Sequence, residues 1–187
     1  MEQKGWQDRL LEEKLSGFRQ LHSRNVAAQA AHLAEKWGED PERAFFAGFF
    51  HDICKEMPRE EQLQWLGKSD IIVDELFLKQ PKIWHGFAAA EYLRCELNVS
   101  DPDILNAVRY HTTARAGMSL LEQIIYLADL TSAERDYPDV AVMQKLADTS
   151  LQDAMLYALQ YIMGDLVKRR APVCSFTWEA YNEYALR

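Results

Sequence analysis

The chain has 187 residues, a length that fits one domain with a substantial core. Hydrophobic residues make up 48% of it, with only 8 Gly and 6 Pro, so the composition indicates an ordered globular protein and not a disordered one. The formal charge of −8 argues against contact with nucleic acid, whose phosphates need a basic face. A small anionic substrate stays compatible with this charge, because bound metal cations can supply a positive field.

The N-terminal segment and the cysteines indicate the cellular compartment. Residues 1–14 are charged and lack the apolar stretch of a signal peptide, and no segment approaches the ~18 apolar residues that cross a bilayer. We therefore expect a cytoplasmic protein without membrane contact. Cys54, Cys95 and Cys174 are odd in number and widely spaced, which predicts reduced thiols and excludes a disulfide framework or a zinc knuckle.

Apolar residues recur at helical spacing along nearly the whole chain, and no segment alternates with the period of a strand. The sequence therefore predicts an all-α protein. A helical segment is expected over residues 6–37, with a break near Ser16. Asp40 and Pro41 then form an N-cap and a first helical position, and they predict a helix over residues 42–55.

Further caps and prolines predict the helices in the rest of the chain, and Asp101 with Pro102 repeats the pattern of an N-cap followed by proline. Ser119 followed three residues later by Glu122 is a capping box before an apolar run, and Ser150 with Asp153 repeats this spacing. The predicted helices are 58–67, one through 84 and 92, 102–111, 120–130, 151–170 and 177–186. We expect a single helical bundle over residues 1–187 in which residues 141–187 complete the bundle or present a face for a homodimer.

Ionisable residues interrupt these apolar helices at a few positions. His51 and Asp52 follow a phenylalanine-rich segment, where burial costs on the order of a few kcal/mol per group without a partner or a metal. Alone, such a pair is more often a helix cap than a metal site. Four more such residues lie on or at the end of predicted helices: His22, His85, His111 and Asp129. Helices that converge can join these ligands into one site, whereas His32 falls outside the pattern and is expected at the surface or in packing.

The segments around these residues resemble one enzyme family. The segment HDICK at 51–55 is similar to the HD-x-x-K signature of the HD superfamily of metal-dependent phosphohydrolases. The segments WHG at 84–86, RYHTT at 109–113 and IIYLAD at 124–129 are similar to its YqeK-type branch, the symmetrical bis(5′-nucleosyl)-tetraphosphatases of bacteria. The resemblance covers about residues 22–138, and the ordered set of motifs is far more specific than the HD pair alone.

The resemblance implies an all-α HD domain with a di-iron centre that cleaves dinucleoside tetraphosphate into two nucleoside diphosphates. It implies one ion on His22, His51, Asp52 and Asp129, and a second ion on Asp52, His85 and His111. Imidazole and carboxylate ligands also accept Mn or Zn. Asp52 would bridge the ions, and Lys55 on the same helix would hold a phosphate oxygen, so both are expected to be catalytic. The expected substrate-binding residues are Lys55, Arg109, Thr112, Thr113, Arg115 and Arg135.

Two segments depart from the pattern of this branch, and several alternatives stay open. Where the branch has Glu-Pro before its arginine, this chain has residues 130–134 before Arg135, and Ala114 replaces a glycine. Trp84, Tyr110 and Tyr137 are candidates for stacking on a purine, although aromatic residues at helical spacing are more often core. The alternative functions are an HD phosphohydrolase acting on deoxynucleoside monophosphates or a guanosine alarmone, a non-catalytic nucleotide sensor, and a di-iron oxygenase.

Overall fold

The computed structural model describes residues 5–187, and in this range the chain forms helices and no strand. The all-α prediction is confirmed. A 3-10 turn, Pro81–Ile83, lies between the fifth and sixth helices. In chain order the α-helices are α1 (Trp6–Lys14), α2 (Gly17–Trp37), α3 (Pro41–Phe50), α4 (Arg59–Leu66), α5 (Glu75–Leu78), α6 (Trp84–Glu96), α7 (Pro102–Tyr110), α8 (Leu120–Thr131), α9 (Val140–Thr149), α10 (Leu151–Lys168) and α11 (Ser175–Ala185). Among the helices of this range, none has the length and apolar character of a membrane span.

The predicted N-caps are present at four helix starts. In each case the capping side chain accepts a hydrogen bond from a backbone N–H group of the first turn, a contact that stabilises a helix by about 1 kcal/mol. The capping residues are Asp40 of α3, Asp101 of α7, Ser119 of α8 and Ser150 of α10. The break near Ser16 is also confirmed, since α1 ends at Lys14 and α2 begins at Gly17.

The predicted helix over residues 42–55 is too long. Helix α3 ends at Phe50, and the chain continues in tight turns in which the Lys55 N–H donates to the Asp52 carbonyl at 2.8 Å. The physical reason lies in the side chain of His51, whose Nδ1–H donates a hydrogen bond to the Gly48 carbonyl oxygen over 2.6 Å. That carbonyl would accept from the Asp52 N–H if the helix continued. Lys55 therefore follows Asp52 in a turn and not in the same helix.

Helix α2 lies at the centre of the bundle and packs against α3 and α8. Its buried face contains Val26, Ala27, Ala30 and Leu33, as the helical spacing predicts. Small residues allow a close approach to α3, because a Cβ atom added at Gly48 would lie 3.0 Å from the Ala27 Cα. This backbone contact sets the separation between the histidine of α2 and the His-Asp pair that follows α3.

A second, smaller core joins the C-terminal segment to α5, α6 and α7. Trp84 and Tyr110 are each 7% exposed in this core, and Phe176 of α11 packs against it. Their interpretation as core residues is therefore correct, and stacking on a purine is excluded for these two rings. The third aromatic candidate, Tyr137, donates its hydroxyl to the Leu130 carbonyl at 2.6 Å.

Helix α10 packs against α8, α9 and α11, so the C-terminal helices contact the rest of the bundle. The prediction of one domain over residues 1–187 includes residues 1–4, which lie outside the described range, and it stays a prediction. The homodimer face and the cytoplasmic location also stay predictions. Cys54, Cys95 and Cys174 are free thiols, and His32 is exposed with its Nε2 3.3 Å from Asp148.

Candidate metal centre

The structure brings together all six residues expected to bind metal. They come from α2, the end of α3, the start of α6, the end of α7 and α8. The buried members are His22, His51, Asp52, His85 and His111, and the side chain of the sixth, Asp129, is 18% exposed. Ionisable groups separated by a hundred residues thus meet in the interior of the bundle.

Asp52 lies between two pairs of histidines. Its Oδ2 lies 3.8 Å from the Nε2 of His22 and 3.7 Å from the Nε2 of His51. Its Oδ1 lies 3.1 Å from the Nε2 of His85 and 3.4 Å from the Nε2 of His111. Each carboxylate oxygen therefore faces one pair, and we call these the Oδ2 side (His22, His51) and the Oδ1 side (His85, His111).

Asp129 belongs to the Oδ2 side. Its Oδ1 lies 3.1 Å from the Nε2 of His22 and 3.9 Å from the Nε2 of His51. Among residues 5–187, two sets of three ligand atoms, each set within 4.8 Å, could hold a metal ion: His22, His51 and Asp129 in the first, and His51, Asp52 and His111 in the second.

The other ring nitrogen of these histidines determines which nitrogen is available to a metal. His51 and His111 each donate from Nδ1 to a backbone carbonyl, that of Gly48 at 2.6 Å and that of Val108 at 2.7 Å. A carbonyl only accepts, so the proton is on Nδ1 and the neutral ring has its lone pair on Nε2. The Nε2 atoms of His51 and His111, which face Asp52, are therefore electron-pair donors in the neutral rings.

This donor set fits a metal ion. The Oδ1 of Asp52 is buried and, among the described residues, has no hydrogen bond of good geometry. On the same side the Nε2 atoms of His85 and His111 lie 3.1 Å apart, although two lone pairs at this distance repel each other. A buried acceptor without a donor is costly, and a cation between these atoms would remove that cost.

The pKa values of two histidines and two aspartates of the centre favour the protonation states that bind metal. Burial lowers the pKa of His51 to about 3 and that of His85 to about 4, so both rings are neutral at pH 7. Burial opposes ionisation of Asp52, but electrostatic interactions with the surrounding side chains outweigh it and hold the pKa of this carboxyl well below its usual range. The pKa of Asp129 is also lowered, because the interactions with His22, His51 and Arg135 outweigh its burial.

Glu134 supports His22 from the outside of the centre. Its Oε1 contacts the Nδ1 of His22, and its two oxygens also accept from Asn25 at 2.7 Å and from Ser132 at 2.8 Å. A carboxylate on the second nitrogen of a ligating histidine orients the ring and raises its basicity. Burial opposes protonation of His22, but Asp129 and Glu134 outweigh it and raise its pKa. The segment 130–134, which departs from the branch pattern, thus supplies a glutamate contact.

Three cations contact the carboxylates of the centre. Arg19 donates to the Oδ2 of Asp52 at 3.1 Å, and Arg135 donates to the Oδ1 of Asp129. The Nζ of Lys55 lies 3.5 Å from the Oδ1 of Asp52. Arg19 is the residue that the sequence analysis missed. It lies three positions before a metal-ligand candidate on the same helix, and this spacing places both on one face.

Thr112 and Thr113 are both expected to bind substrate, but only Thr112 borders the metal centre. The Oγ1 of Thr112 is 3.0 Å from the Nε2 of His111 and 3.3 Å from that of His85, so it borders the Oδ1 side. Thr113 is buried, its hydroxyl donates to the Ala114 carbonyl, and its own carbonyl accepts from another threonine. The side chain of Thr113 therefore stabilises the loop after α7 and does not face the metal centre.

Arg109 and Arg115 are paired with buried glutamates. Arg109 donates to Glu91 at 2.9 Å, and Arg115 donates twice to Glu122, at 2.9 and 2.5 Å. Both glutamates are at most 2% exposed, and a buried carboxylate needs a counter-ion. The structure thus places these two guanidinium groups in ion pairs of the scaffold, and no hydrogen bond or ion pair of the described residues joins them to the six clustered residues.

A family model described as HD domain matches residues 19–134 of the chain, which include all six clustered residues. The chain belongs to the HD domain family. This membership confirms the prediction, made from the HDICK segment, that the chain belongs to the HD superfamily.

Several proteins to which this HD domain protein is similar carry the name of the branch. A protein of Bacillus subtilis (strain 168), named "Bis(5'-nucleosyl)-tetraphosphatase, symmetrical", is 37% identical over 172 residues, or 92% of each chain. One of Halalkalibacterium halodurans with the same name is 32% identical over 95% of this chain and 94% of its own. The crystal structure of a predicted HD superfamily hydrolase involved in NAD metabolism, from Clostridium acetobutylicum, matches with a TM-score of 0.93 and 30% identity, over 97% of this chain and 96% of its own.

Proposed function

We propose that this HD domain protein is a metal-dependent hydrolase that cleaves dinucleoside tetraphosphate, such as diadenosine tetraphosphate, into two nucleoside diphosphates. The observation that carries the proposal is the position of Asp52, whose two oxygens face two pairs of histidines. The names of relatives at up to 37% identity over nearly the whole chain support the substrate.

We propose that the Oδ2 side of the centre holds one ion through His22, His51, Asp52 and Asp129. The Oδ1 side would hold a second ion through Asp52, His85 and His111. Two such ions lower the pKa of a bound water and neutralise phosphoryl oxygens. Iron is the metal we propose, and the same imidazole and carboxylate donors accept Mn or Zn.

In the proposed reaction, the oxygen of water forms a bond to one of the two central phosphorus atoms. The bond from this phosphorus to the central bridging oxygen breaks, and that oxygen leaves with the other nucleoside diphosphate, while the protons of the water pass to the leaving oxygen or to solvent. Lys55 lies on the Oδ1 side with its ammonium 3.0 Å from His85, where it can hold a non-bridging oxygen as a point charge. Thr112 and Arg135 border the centre on its two sides and complete the proposed contacts.

We assign different roles to the other three expected substrate contacts. Arg109 and Arg115 neutralise buried glutamates, and Thr113 holds the loop after α7 through its backbone. These three residues thus act by stabilising α7 and the loop after it, and not by contacts with the substrate. This proposal concerns a small nucleotide substrate and involves neither nucleic acid nor membrane.

The test is product analysis with the metal-loaded protein. Diadenosine tetraphosphate should give ADP as the only nucleotide product by anion-exchange chromatography. The products AMP and ATP, or no turnover, would contradict the proposal. A panel containing deoxynucleoside monophosphates and a guanosine alarmone separates this activity from that of other HD phosphohydrolases. Tight binding of ADP without turnover would identify a nucleotide sensor instead.

A further inference from the structure

Two contacts join the first turn of α2 to the turn that follows α3. Arg19 donates to the Oδ2 of Asp52 at 3.1 Å, at the edge of the metal centre. Three residues before Arg19, the carboxylate of Glu56 accepts from the backbone N–H of Ser16 at 2.6 Å and from the Ser16 hydroxyl at 2.8 Å. The two turns are thus joined twice, once at the metal centre and once outside it.

The first turn of α2 has few other interactions to hold it in place. Its N-cap residue is Ser16, and among the described residues the Ser16 side chain makes no capping bond to α2. Gly17 and Phe18 are both exposed, Phe18 by 65%. The sequence of this turn, GFRQ at 17–20, contains no acidic residue, although a negative charge stabilises the N-terminus of a helix. Glu56 supplies this charge from 40 positions further along the chain.

The hydrogen bond from Arg19 is compatible with a metal ion on the same carboxylate. A carboxylate oxygen has two lone pairs, so the Oδ2 of Asp52 can accept from Arg19 with one and bind a cation with the other. Hydrogen bonds to a ligating carboxylate hold its orientation, and their loss typically costs about 10- to 100-fold in metal affinity or activity. Because each oxygen of Asp52 faces one histidine pair, a rotation of this carboxylate would weaken both sides of the centre.

We propose that Glu56 is a positioning residue of the metal centre, which acts through Ser16 and Arg19 to hold the Asp52 carboxylate. The carboxylate of Glu56 fixes the start of α2 relative to the turn after α3. Arg19 lies one turn further along α2, so its guanidinium group stays within reach of the Oδ2 of Asp52. The expected effect on turnover rests on the proposed function, whereas the expected effect on metal affinity does not depend on the substrate.

The test is a double-mutant cycle of Glu56→Ala and Arg19→Ala, in which competition with a chelator measures the metal affinity of the loaded protein. Arg19→Ala should weaken the affinity about tenfold, and Glu56→Ala about three- to fivefold, because Glu56 acts at one remove. The double variant should bind metal no more weakly than Arg19→Ala alone. Two independent effects that multiply in the double variant, or an unchanged affinity in Glu56→Ala, would overturn the proposal.

Glu60→Ala is the matched control for the lost charge. Glu60 is exposed in the first turn of α4, four positions after Glu56, so its removal changes the net charge of the same neighbourhood equally. Glu60→Ala should leave the metal affinity unchanged, because the effect of Glu56 depends on its hydrogen bonds to Ser16. If Glu56→Ala and Glu60→Ala weaken the affinity equally, the effect is one of charge alone and the positioning role is overturned.

Two variants of Ser16 test the hydroxyl contact separately. Ser16→Thr keeps both the hydroxyl and the backbone N–H, so it should retain the wild-type metal affinity. Ser16→Ala keeps only the N–H contact with Glu56, so it should weaken the affinity by about two- to threefold, less than Glu56→Ala does. A loss in Ser16→Thr as large as that in Ser16→Ala would contradict the proposed role of this contact.

Turnover distinguishes this proposal from the proposed function. The kcat for diadenosine tetraphosphate should fall about three- to fivefold in Glu56→Ala with an unchanged KM, because Glu56 acts on the centre and not on substrate binding. If wild-type protein does not cleave this substrate, the proposed function is overturned, and the metal-affinity cycle still tests Glu56. If wild-type protein cleaves it but the effects in the cycle multiply, the positioning role is overturned and the function stands.

Discussion

The two sides of Asp52 carry equivalent histidine pairs but differ in their surroundings. On the Oδ2 side, Asp129 contacts both rings, Glu134 supports His22 from behind, and Arg19 donates to the Asp52 carboxylate. On the Oδ1 side, no second carboxylate joins the two histidines within the described chain, and their neighbours are Lys55 and Thr112.

This difference indicates that the two sides of Asp52 have different roles. The Oδ2 side has two carboxylates and a carboxylate-supported histidine, which together favour tight binding of a cation. The Oδ1 side has fewer protein ligands. The Thr112 hydroxyl and the Lys55 ammonium border it, so a substrate phosphate can approach there. We therefore expect the first side to determine metal retention and the second side to determine substrate turnover.

The largest expected effect is that of Asp52→Ala, which removes the one group that faces both sides. Metal analysis should show the loss of both ions, and kcat/KM for diadenosine tetraphosphate should fall on the order of a thousandfold or more. His22→Ala should remove about one ion. The exposed His32→Ala is the matched control and should retain both, whereas full metal content in Asp52→Ala would refute the bridging role.

Lys55→Ala should separate turnover from metal retention. Lys55 approaches the Oδ1 side as a point charge and is not a metal ligand, so we expect an unchanged metal content and a fall in kcat/KM of about a hundredfold, equivalent to about 2.7 kcal/mol. Steady-state kinetics beside metal analysis measures both. Lys145→Ala is the control for a lost charge, and a loss of metal in Lys55→Ala would contradict the division between the sides.

Glu134→Ala should weaken one side only. Without its partner, His22 loses the contact that orients it, and the affinity of the Oδ2 side for metal should fall about 10- to 100-fold. Competition with a chelator, read by metal analysis, should show one ion leaving early. Glu134→Gln retains an acceptor for the ring N–H and should lose less. If both ions leave together in Glu134→Ala, the two sides are not independent.

The smallest expected effect concerns the scaffold of the Oδ1 side. A Cβ atom at Gly86 would lie 2.8 Å from the Arg109 carbonyl oxygen and 3.2 Å from the His111 ring. Gly86→Ala should therefore lower the free energy of unfolding by about 1–3 kcal/mol, because α6 and α7 must separate. Thermal unfolding measures this loss. Gly164→Ala, in an α10 position with open space, should stabilise the protein by about 0.5–1 kcal/mol.

Much of the fold could be predicted from local patterns. The starts of α3, α7, α8 and α10 are correct because each N-cap contacts a backbone N–H two or three residues away. The end of α3 was not predictable in this way. It depends on a hydrogen bond from the His51 side chain to the Gly48 carbonyl, which replaces the helical hydrogen bond from the Asp52 N–H. Helical periodicity does not show which of the two donors binds this carbonyl.

The sequence by itself determined the all-α class, most helix starts and the six residues that cluster, because each follows from spacing or from a motif within one turn. Only the tertiary structure decided how these residues pair around the two oxygens of Asp52. It also brought Glu134 to His22 across 112 positions of the chain and gave Arg109 a buried partner in Glu91. Such contacts depend on how α2 packs against α3 and α8, and local spacing does not encode this packing.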